Sequence, residues 1–261
     1  MDLALQGKAV LVTGGNRGIG RQIALAFAEE GAQVAICGRD AQTLAKTGAE
    51  IRALGVKAHT MVADLFQAAD CRRVVEETAA EFGRFDVLVN NASTNVGGTL
   101  LTADDDRLME RVYGKTLGSM RCARAAIPHM RRVGGGHIIN IGGMAARNPG
   151  GLPAGLGNSA LANFSKNLSD EVAADQILVN VVHPSFCKTD RYPARVAARA
   201  KERGISSAEA EASFAAEFPI GRIVEPTDIA PLVLFLASKH ASAITGQTIA
   251  VDGGAGRSIV Y

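Results

Sequence analysis

Apolar residues alternate along this chain between two spacings. Short, nearly continuous apolar runs occupy residues 8–12, 33–37, 57–62, 86–89, 137–141, 177–182 and 248–251, a pattern expected of strands buried on both faces. Between them, apolar positions recur every three to four residues over 19–30, 41–54, 68–82, 104–130, 161–174 and 226–237, which predicts helices with one buried face. Strands and helices in alternation imply crossover units and a parallel sheet covered on both sides. The expected fold is therefore α/β, a doubly wound sheet of seven mainly parallel strands flanked by helices. Ligands of such sheets bind beyond the carboxyl ends of the strands. The segment 187–221 stands outside the alternation and carries two helical patterns, 193–203 and 207–218. Placed after the sixth strand, it would overhang the ligand crevice as a substrate lid. No Pro/Gly/Ser-rich linker interrupts the chain, so residues 1–261 are expected to form a single domain.

Composition narrows the function classes. Apolar residues make up 47% and charged residues 21%, enough for a sizeable core. A formal net charge of +2, spread along the chain, argues against nucleic acid as a partner. Cys37, Cys71, Cys122 and Cys187 are far apart, with no Cys-x-x-Cys pair, and read as small buried hydrophobes in a reducing compartment. No metal site is expected; the acids after Thr102 read as the first turn of a capped helix. The first residues lack a basic stretch followed by an apolar one, and no run approaches the roughly 20 apolar residues of a membrane span. No membrane partner is expected, and the expected location is the cytoplasm.

The first apolar run leads into Thr13-Gly14-Gly15-Asn16-Arg17-Gly18-Ile19-Gly20 and then into a helical pattern. Gly14 allows a sharp turn, Gly18 leaves room for a diphosphate against backbone, and Gly20 lets helix and strand pack closely. The helix start offers unpaired N–H groups and a positive dipole end to phosphate. Strand, glycine loop and helix in this order form a Rossmann-type dinucleotide site.

The spacing Gly-x-x-x-Gly-x-Gly resembles that of the short-chain dehydrogenase/reductase family, and further motifs follow in the family's order. Asp64-Leu65 follows the third strand, Asn90-Asn91-Ala92 the fourth, and His183-Pro184-Ser185-Phe186-Cys187-Lys188-Thr189 the sixth. Val251-Asp252-Gly253-Gly254 stands near the end. The chain most resembles the family's 3-oxoacyl-acyl-carrier-protein reductases. The resemblance implies an oxidoreductase with a small-molecule substrate. It also implies a cofactor held by Gly14, Asn16, Arg17, Gly18, Ile19, Gly20, Arg39, Asp64, Leu65, Asn90, Ala92, Cys187 and Thr189. Asp64 would face the adenine, and Cys187 and Thr189 the nicotinamide carboxamide. It further implies a homotetramer or homodimer joined through the helices at 104–130 and 159–174.

Charge selects the dinucleotide. A carboxylate at the end of the second strand would bond a ribose 2′-hydroxyl and repel a 2′-phosphate. Here the strand ends in Gly38, followed by Arg39, and Arg17 in the glycine loop adds a second cation. NADP(H) is the expected cofactor, although Asp40 could neutralise part of the field of Arg39.

The catalytic positions depart from the pattern. The family carries an Asn, a Ser and a Tyr-x-x-x-Lys; of Tyr113, Tyr192 and Tyr261, none is followed four residues later by lysine. Alignment on Gly118 and Pro128-His129-Met130 puts Lys115 at the Asn position. Ile139-Asn140-Ile141-Gly142-Gly143 puts Gly143 at the Ser position. Ser159-Ala160-Leu161 puts Asn158 at the Lys position and Ala154 at the Tyr position, with a slip of one residue open for these two. Lys115 and Asn158 thus exchange the family's Asn and Lys. They are the expected catalytic residues, with Lys115 retaining a positive charge for the cofactor or an oxyanion; the alternative is an unrelated solvated lysine. Tyr113 should face away from Lys115, Tyr192 in the lid is the better replacement acid, and His183 reads as structural. Gly142, Gly143, Gly150, Gly151, Ala154, Gly155 and Gly157 suggest a roomy pocket floor. Two other functions stay open on this fold: a non-redox lyase or isomerase, and a silent dinucleotide-binding protein.

Overall fold

A computed structural model describes residues 1–93, 98–102, 104–149 and 151–257, without the side chains of Arg107 and Arg111. Gly150 and Tyr261 lie outside the described residues. Seven strands, β1 (Ala9–Thr13), β2 (Gln33–Gly38), β3 (Ala58–Val62), β4 (Val87–Asn90), β5 (Gly136–Ile141), β6 (Ile177–Pro184) and β7 (Thr248–Val251), form one sheet in the order β3-β2-β1-β4-β5-β6-β7. All six pairings are parallel, where the sequence predicted mainly parallel ones. The order reverses between β1 and β4, which opens a crevice at the carboxyl ends of those strands.

Strand alternation splits the core into two layers. Val10 and Val12 face one side, packing with Ile23 and Phe27 of α1 (Gly18–Glu29) and Ile229 and Val233 of α9 (Pro226–Leu236). Ala9 and Leu11 face the other, with Val74 and Val75 of α3 (Ala68–Phe82) and Ala126 and Met130 of α5 (Gly118–Arg132). All of these side chains are buried, and burying each Val, Ile, Leu or Phe contributes roughly 1.5–3 kcal/mol before entropy. The buried carboxylate of Asp86 joins the layers' near end, accepting from Ala9 N–H at 2.9 Å, Lys8 at 3.1 Å and Arg84 at 2.6 Å.

Two helices differ from the sequence expectation, and both differences shape the crevice. The pattern at 104–130 is not one helix: α4 (Asp105–Val112) runs into a π-helical turn, Tyr113–Leu117, before α5 begins. The ring of Phe66 occupies the space a Cβ on Gly114 would need, and Thr116 Oγ1 donates to the Gly157 carbonyl at 3.0 Å. The wide turn thus lies between two packed neighbours, and periodicity alone does not reveal the inserted residue. The helix expected from 161 begins at α6 (Leu152–Val172), because Pro153 suits a first turn and outweighs the glycines after it. Gly155 backs directly onto the Ala145 carbonyl, 3.0 Å from where its Cβ would be. The lid segment holds α7 (Tyr192–Arg203) and α8 (Ser207–Ala215), and its root is pinned where Lys188 N–H donates to the Val224 carbonyl at 2.9 Å. α2 (Ala41–Ala53) completes the helices named here.

Among the described residues no helix is long and apolar enough to cross a membrane. No group of metal-ligating side chains occurs among them either.

Candidate active site

One cavity of about 1000 Å³ opens at the carboxyl ends of β1, β4 and β5. Its wall takes in Gly14, Asn16, Arg17, Gly18, Ile19, Gly20, Arg39, Asp64, Leu65, Ala92, Cys187 and Thr189, together with Lys115 and Asn158. The residues expected to act together are therefore assembled, with one exception.

That exception is Asn90. Its side chain is buried behind the wall, donating to Asn140 Oδ1 at 2.9 Å and reaching the Ser119 carbonyl at 3.4 Å. The member of the Asn pair that faces the cavity is Asn91. Its amide donates to the Thr13 carbonyl at 2.9 Å and the Gly14 carbonyl at 3.2 Å, while its backbone N–H donates to Thr13 Oγ1 at 2.9 Å. Asn91 therefore ties the glycine loop to β4. Side-chain alternation along a strand decides which of two adjacent asparagines does so, and a strand end one residue later than expected moves the choice.

The glycine loop has the backbone that its sequence requires. Gly14 and Gly18 have φ of +63° and +55°, a region that side-chain-bearing residues rarely adopt. At the end of β2, a Cβ on Gly38 would come within 2.6 Å of Asn16 Oδ1, so no acidic side chain fits there without moving Asn16. Asp40 is engaged as the cap of α2, accepting from Thr43 N–H and Thr43 Oγ1, each at 2.7 Å. Those two bonds, and then the Arg17 guanidinium, hold its carboxyl below the usual range. Asp64 accepts from Phe66 N–H at 3.2 Å.

The floor of the cavity is the Gly142-Gly143 pair after β5. Lys115, at the centre of the π-helical turn and only 4% exposed, donates from Nζ to the Gly142 carbonyl at 3.1 Å. Asn158, 3% exposed, donates to the next carbonyl, Gly143, at 3.2 Å, and its Oδ1 is buried with no hydrogen-bond partner among the described residues. Lys115 and Asn158 therefore hold adjacent carbonyls of one loop. Gly143 and Ala154 line the same cavity.

His183 contributes from β6. Gly143 N–H donates to its Nδ1 at 2.9 Å. Burial, with the charges of Arg147 and Lys115, lowers its pKa to about 4, so it is neutral at neutral pH. A Cβ on Gly142 would clash with the Nδ1 and Cε1 edge of the imidazole ring. Ring and glycine are thus a matched pair, and the structural role expected for His183 has a concrete form. The Gly142→Ala variant is expected to lose roughly 1–3 kcal/mol of stability from overpacking. Adding His183→Ala should recover part of it in urea denaturation; an unchanged midpoint in the single variant would refute the pairing.

The tyrosines sit elsewhere. Tyr113 is 47% exposed and does not line the cavity. Tyr192 reaches the cavity wall but belongs to an aromatic group, with ring centroids 6.0 Å from both Phe186 and Phe214. Burial raises its pKa, and the charges acting on its phenol are Glu211 and Arg199 of the lid helices. The expectation that it replaces the acid finds no support in that setting. The Cys187 thiol is pushed up to about 12 by burial and by Asp228 and Glu225, so it lines the site without acting as a nucleophile.

Sequence reasoning passed over Arg191 and Arg195, which also line the cavity. Arg195 lies inside the helical pattern expected at 193–203, whereas Arg191 stands just before α7, at its N-cap, where the helical pattern gave no signal.

Residues 14–256 match a family model described as enoyl-(acyl carrier protein) reductase. The chain is 36% identical over 253 residues to the short-chain reductase protein NovJ of Streptomyces niveus, covering 95% of this chain and 94% of that one. It is 34% identical over 250 residues to the 3-oxoacyl-[acyl-carrier-protein] reductase FabG of Staphylococcus aureus, covering 95% and 97%. Among solved structures, the L-sorbose reductase of Gluconobacter frateurii, complexed with NADPH and L-sorbose, superposes with a TM-score of 0.95 at 31% identity. That match covers 99% of this chain and all of the other.

Proposed function

Because the chain belongs to the short-chain dehydrogenase/reductase family and is an oxidoreductase, we propose that it uses NADP(H) to act on a small organic substrate, either a carbonyl/alcohol pair or an activated C=C bond. In this reading it does so without the family's Ser, Tyr and Lys, whose positions fall to Gly143, Ala154 and Asn158. The observation that carries the reading is Lys115: a buried ammonium in the cavity wall, bonded to the Gly142 carbonyl beside Asn158. Burying such a charge is costly, and sites that retain one usually use it.

The cavity fits the cofactor. The glycine loop suits the diphosphate, Arg17 and Arg39 a 2′-phosphate, Asp64 and Leu65 the adenine, and Ala92, Cys187 and Thr189 the nicotinamide end. Asn158 Oδ1, buried and without a partner among the described residues, is suited to accept from a ribose hydroxyl. NADP(H), when bound, supplies or accepts the hydride. Lys115 then places positive charge where negative charge develops on the substrate. Residues 187–221 act as the lid of a single domain. Copies pair through α5 and α6, beside the exposed Met109, Tyr113 and Leu156.

Titration with NADPH and NADH, followed by nicotinamide fluorescence, tests the reading. NADPH is expected to bind more tightly by at least about tenfold, the scale of one charge-assisted hydrogen bond. Binding of neither would overturn the proposal.

A further inference from the structure

Four arginines line the cavity without meeting a carboxylate at ion-pair distance among the described residues: Arg17, Arg39, Arg191 and Arg195. Elsewhere the chain pairs its arginines, as in Arg21–Glu50 at 2.8 Å, Arg84–Asp86 at 2.6 Å and Arg222–Asp228 at 2.6 Å. By position, Arg17 and Arg39 lie at the end of β2, Arg195 lies on the lid, and Arg191 stands between them, acted on by Arg17 more than by Arg195. Arg17 and Arg39 are accounted for by a 2′-phosphate. Arg191 and Arg195 are four residues apart in the lid segment, and their like charges repel.

The surroundings of the lid pair are apolar and cationic. The Arg195 guanidinium sits 5.1 Å from the centre of the Phe186 ring, and Phe186 stacks on Phe214 at 4.8 Å. Lys188 Nζ adds a third cation, 5.5 Å from the centre of the Tyr192 ring. Three carboxylates lie near this edge, and one of them, Glu211, acts on the Tyr192 phenol. Glu217 is held by Arg199, one turn further along α7, at 2.6 Å. Asp190 stands beside Arg191, but its pull on that guanidinium is the smallest influence there; burial, then Arg17 and Arg195, hold its pKa below the usual arginine range. The lid edge therefore carries more positive than negative charge over the part of the cavity lined by Phe186, Tyr192 and Phe218.

We propose that Arg195, with Arg191 beside it, forms a substrate anion subsite, so that the substrate is a carbonyl compound bearing a carboxylate at the end remote from the reacting carbon. This rests on the oxidoreductase reading above for the identity of the reacting group. A planar guanidinium fork matches a carboxylate with two parallel hydrogen bonds, and an aromatic face behind it keeps the fork oriented. The apolar body of the substrate lies against Phe186, Tyr192 and Phe218.

The test uses protein saturated with NADP⁺, which cannot reduce a ketone, and measures binding of levulinate and methyl levulinate by saturation-transfer NMR. Levulinate is expected to bind at least about tenfold more tightly than its ester, the scale of one charge-assisted pair. Arg195→Met should remove that preference while NADPH affinity stays unchanged, and Arg195→Lys should keep part of it. Equal affinity for acid and ester, no binding of either, or a preference that survives Arg195→Met would overturn the subsite. A loss of NADPH affinity in Arg195→Met would do the same, by assigning the arginine to the cofactor. NADPH oxidation with a panel of neutral and acidic ketones reads the redox function separately. An acid preference without turnover leaves the subsite standing and overturns the redox reading, and turnover without acid preference does the reverse.

Discussion

The Arg17→Ala/Arg39→Ala double variant should bind NADPH about 10²-fold more weakly while its NADH affinity stays within about threefold, since each charge-assisted hydrogen bond to a phosphate is worth about a decade. Both guanidiniums are exposed at the cavity mouth, so the low end of the usual range applies. The geometry at the end of β2 supports a preference built from two sides. Asn16, whose amide donates to Thr43 Oγ1 at 2.8 Å, occupies the space that an acidic side chain at position 38 would need. Asp40, the nearest candidate for neutralising the arginines, is turned into the cap of α2 by Thr43. Its carboxylate still feels Arg17, so part of the charge of Arg17 is shared with Asp40. The Arg39→Ala single variant is accordingly expected to lose more NADPH affinity than Arg17→Ala. Fluorescence titration of the two single variants and the double measures both points. A double variant that keeps its preference for NADPH would remove the 2′-phosphate assignment.

Much of this was written in the sequence, because the strongest signals are local. Apolar runs bounded by turn residues gave all seven strands to within a residue or two. The glycine loop was recognisable because strand, loop and helix are contiguous. Lys115 and Asn158 could be paired from motif landmarks although 43 residues separate them, the difference of their numbers. What escaped depends on packing between distant segments. The π-helical turn at Lys115 rests on Phe66 filling the space beside Gly114, a contact no helical period announces. Asn91 rather than Asn90 faces the cavity because of where β4 ends. The fit of His183 to Gly142 needs two strands side by side, with Val182 paired to Ile141 in their register. The early start of α6 shows one helix-favouring proline overriding several glycines once a neighbouring loop packs against them.

Lys115→Met should lower kcat/KM by about 10²–10³, the usual cost of removing one preorganised donor from a developing oxyanion. Methionine fills a volume close to that of lysine, so the packing around Phe66 and Gly157 is retained. A buried ammonium replaced by an apolar side chain is often neutral or stabilising, because its desolvation cost goes with it. Activity and stability are therefore expected to move independently: turnover collapses while the urea midpoint stays or rises. The two kinetic constants divide the explanation further. An ammonium that acts only as charge develops lowers kcat and kcat/KM together, whereas one that merely holds the cofactor weakens NADPH binding and raises KM. The bond from Lys115 to the Gly142 carbonyl gives a purely structural role its own signature, since its loss would loosen the Gly142-Gly143 loop and lower the midpoint. Unchanged turnover and unchanged NADPH affinity in Lys115→Met would end the case for this lysine. The loop would then be left with Asn158 alone, and a group other than Lys115 would have to stabilise the developing negative charge.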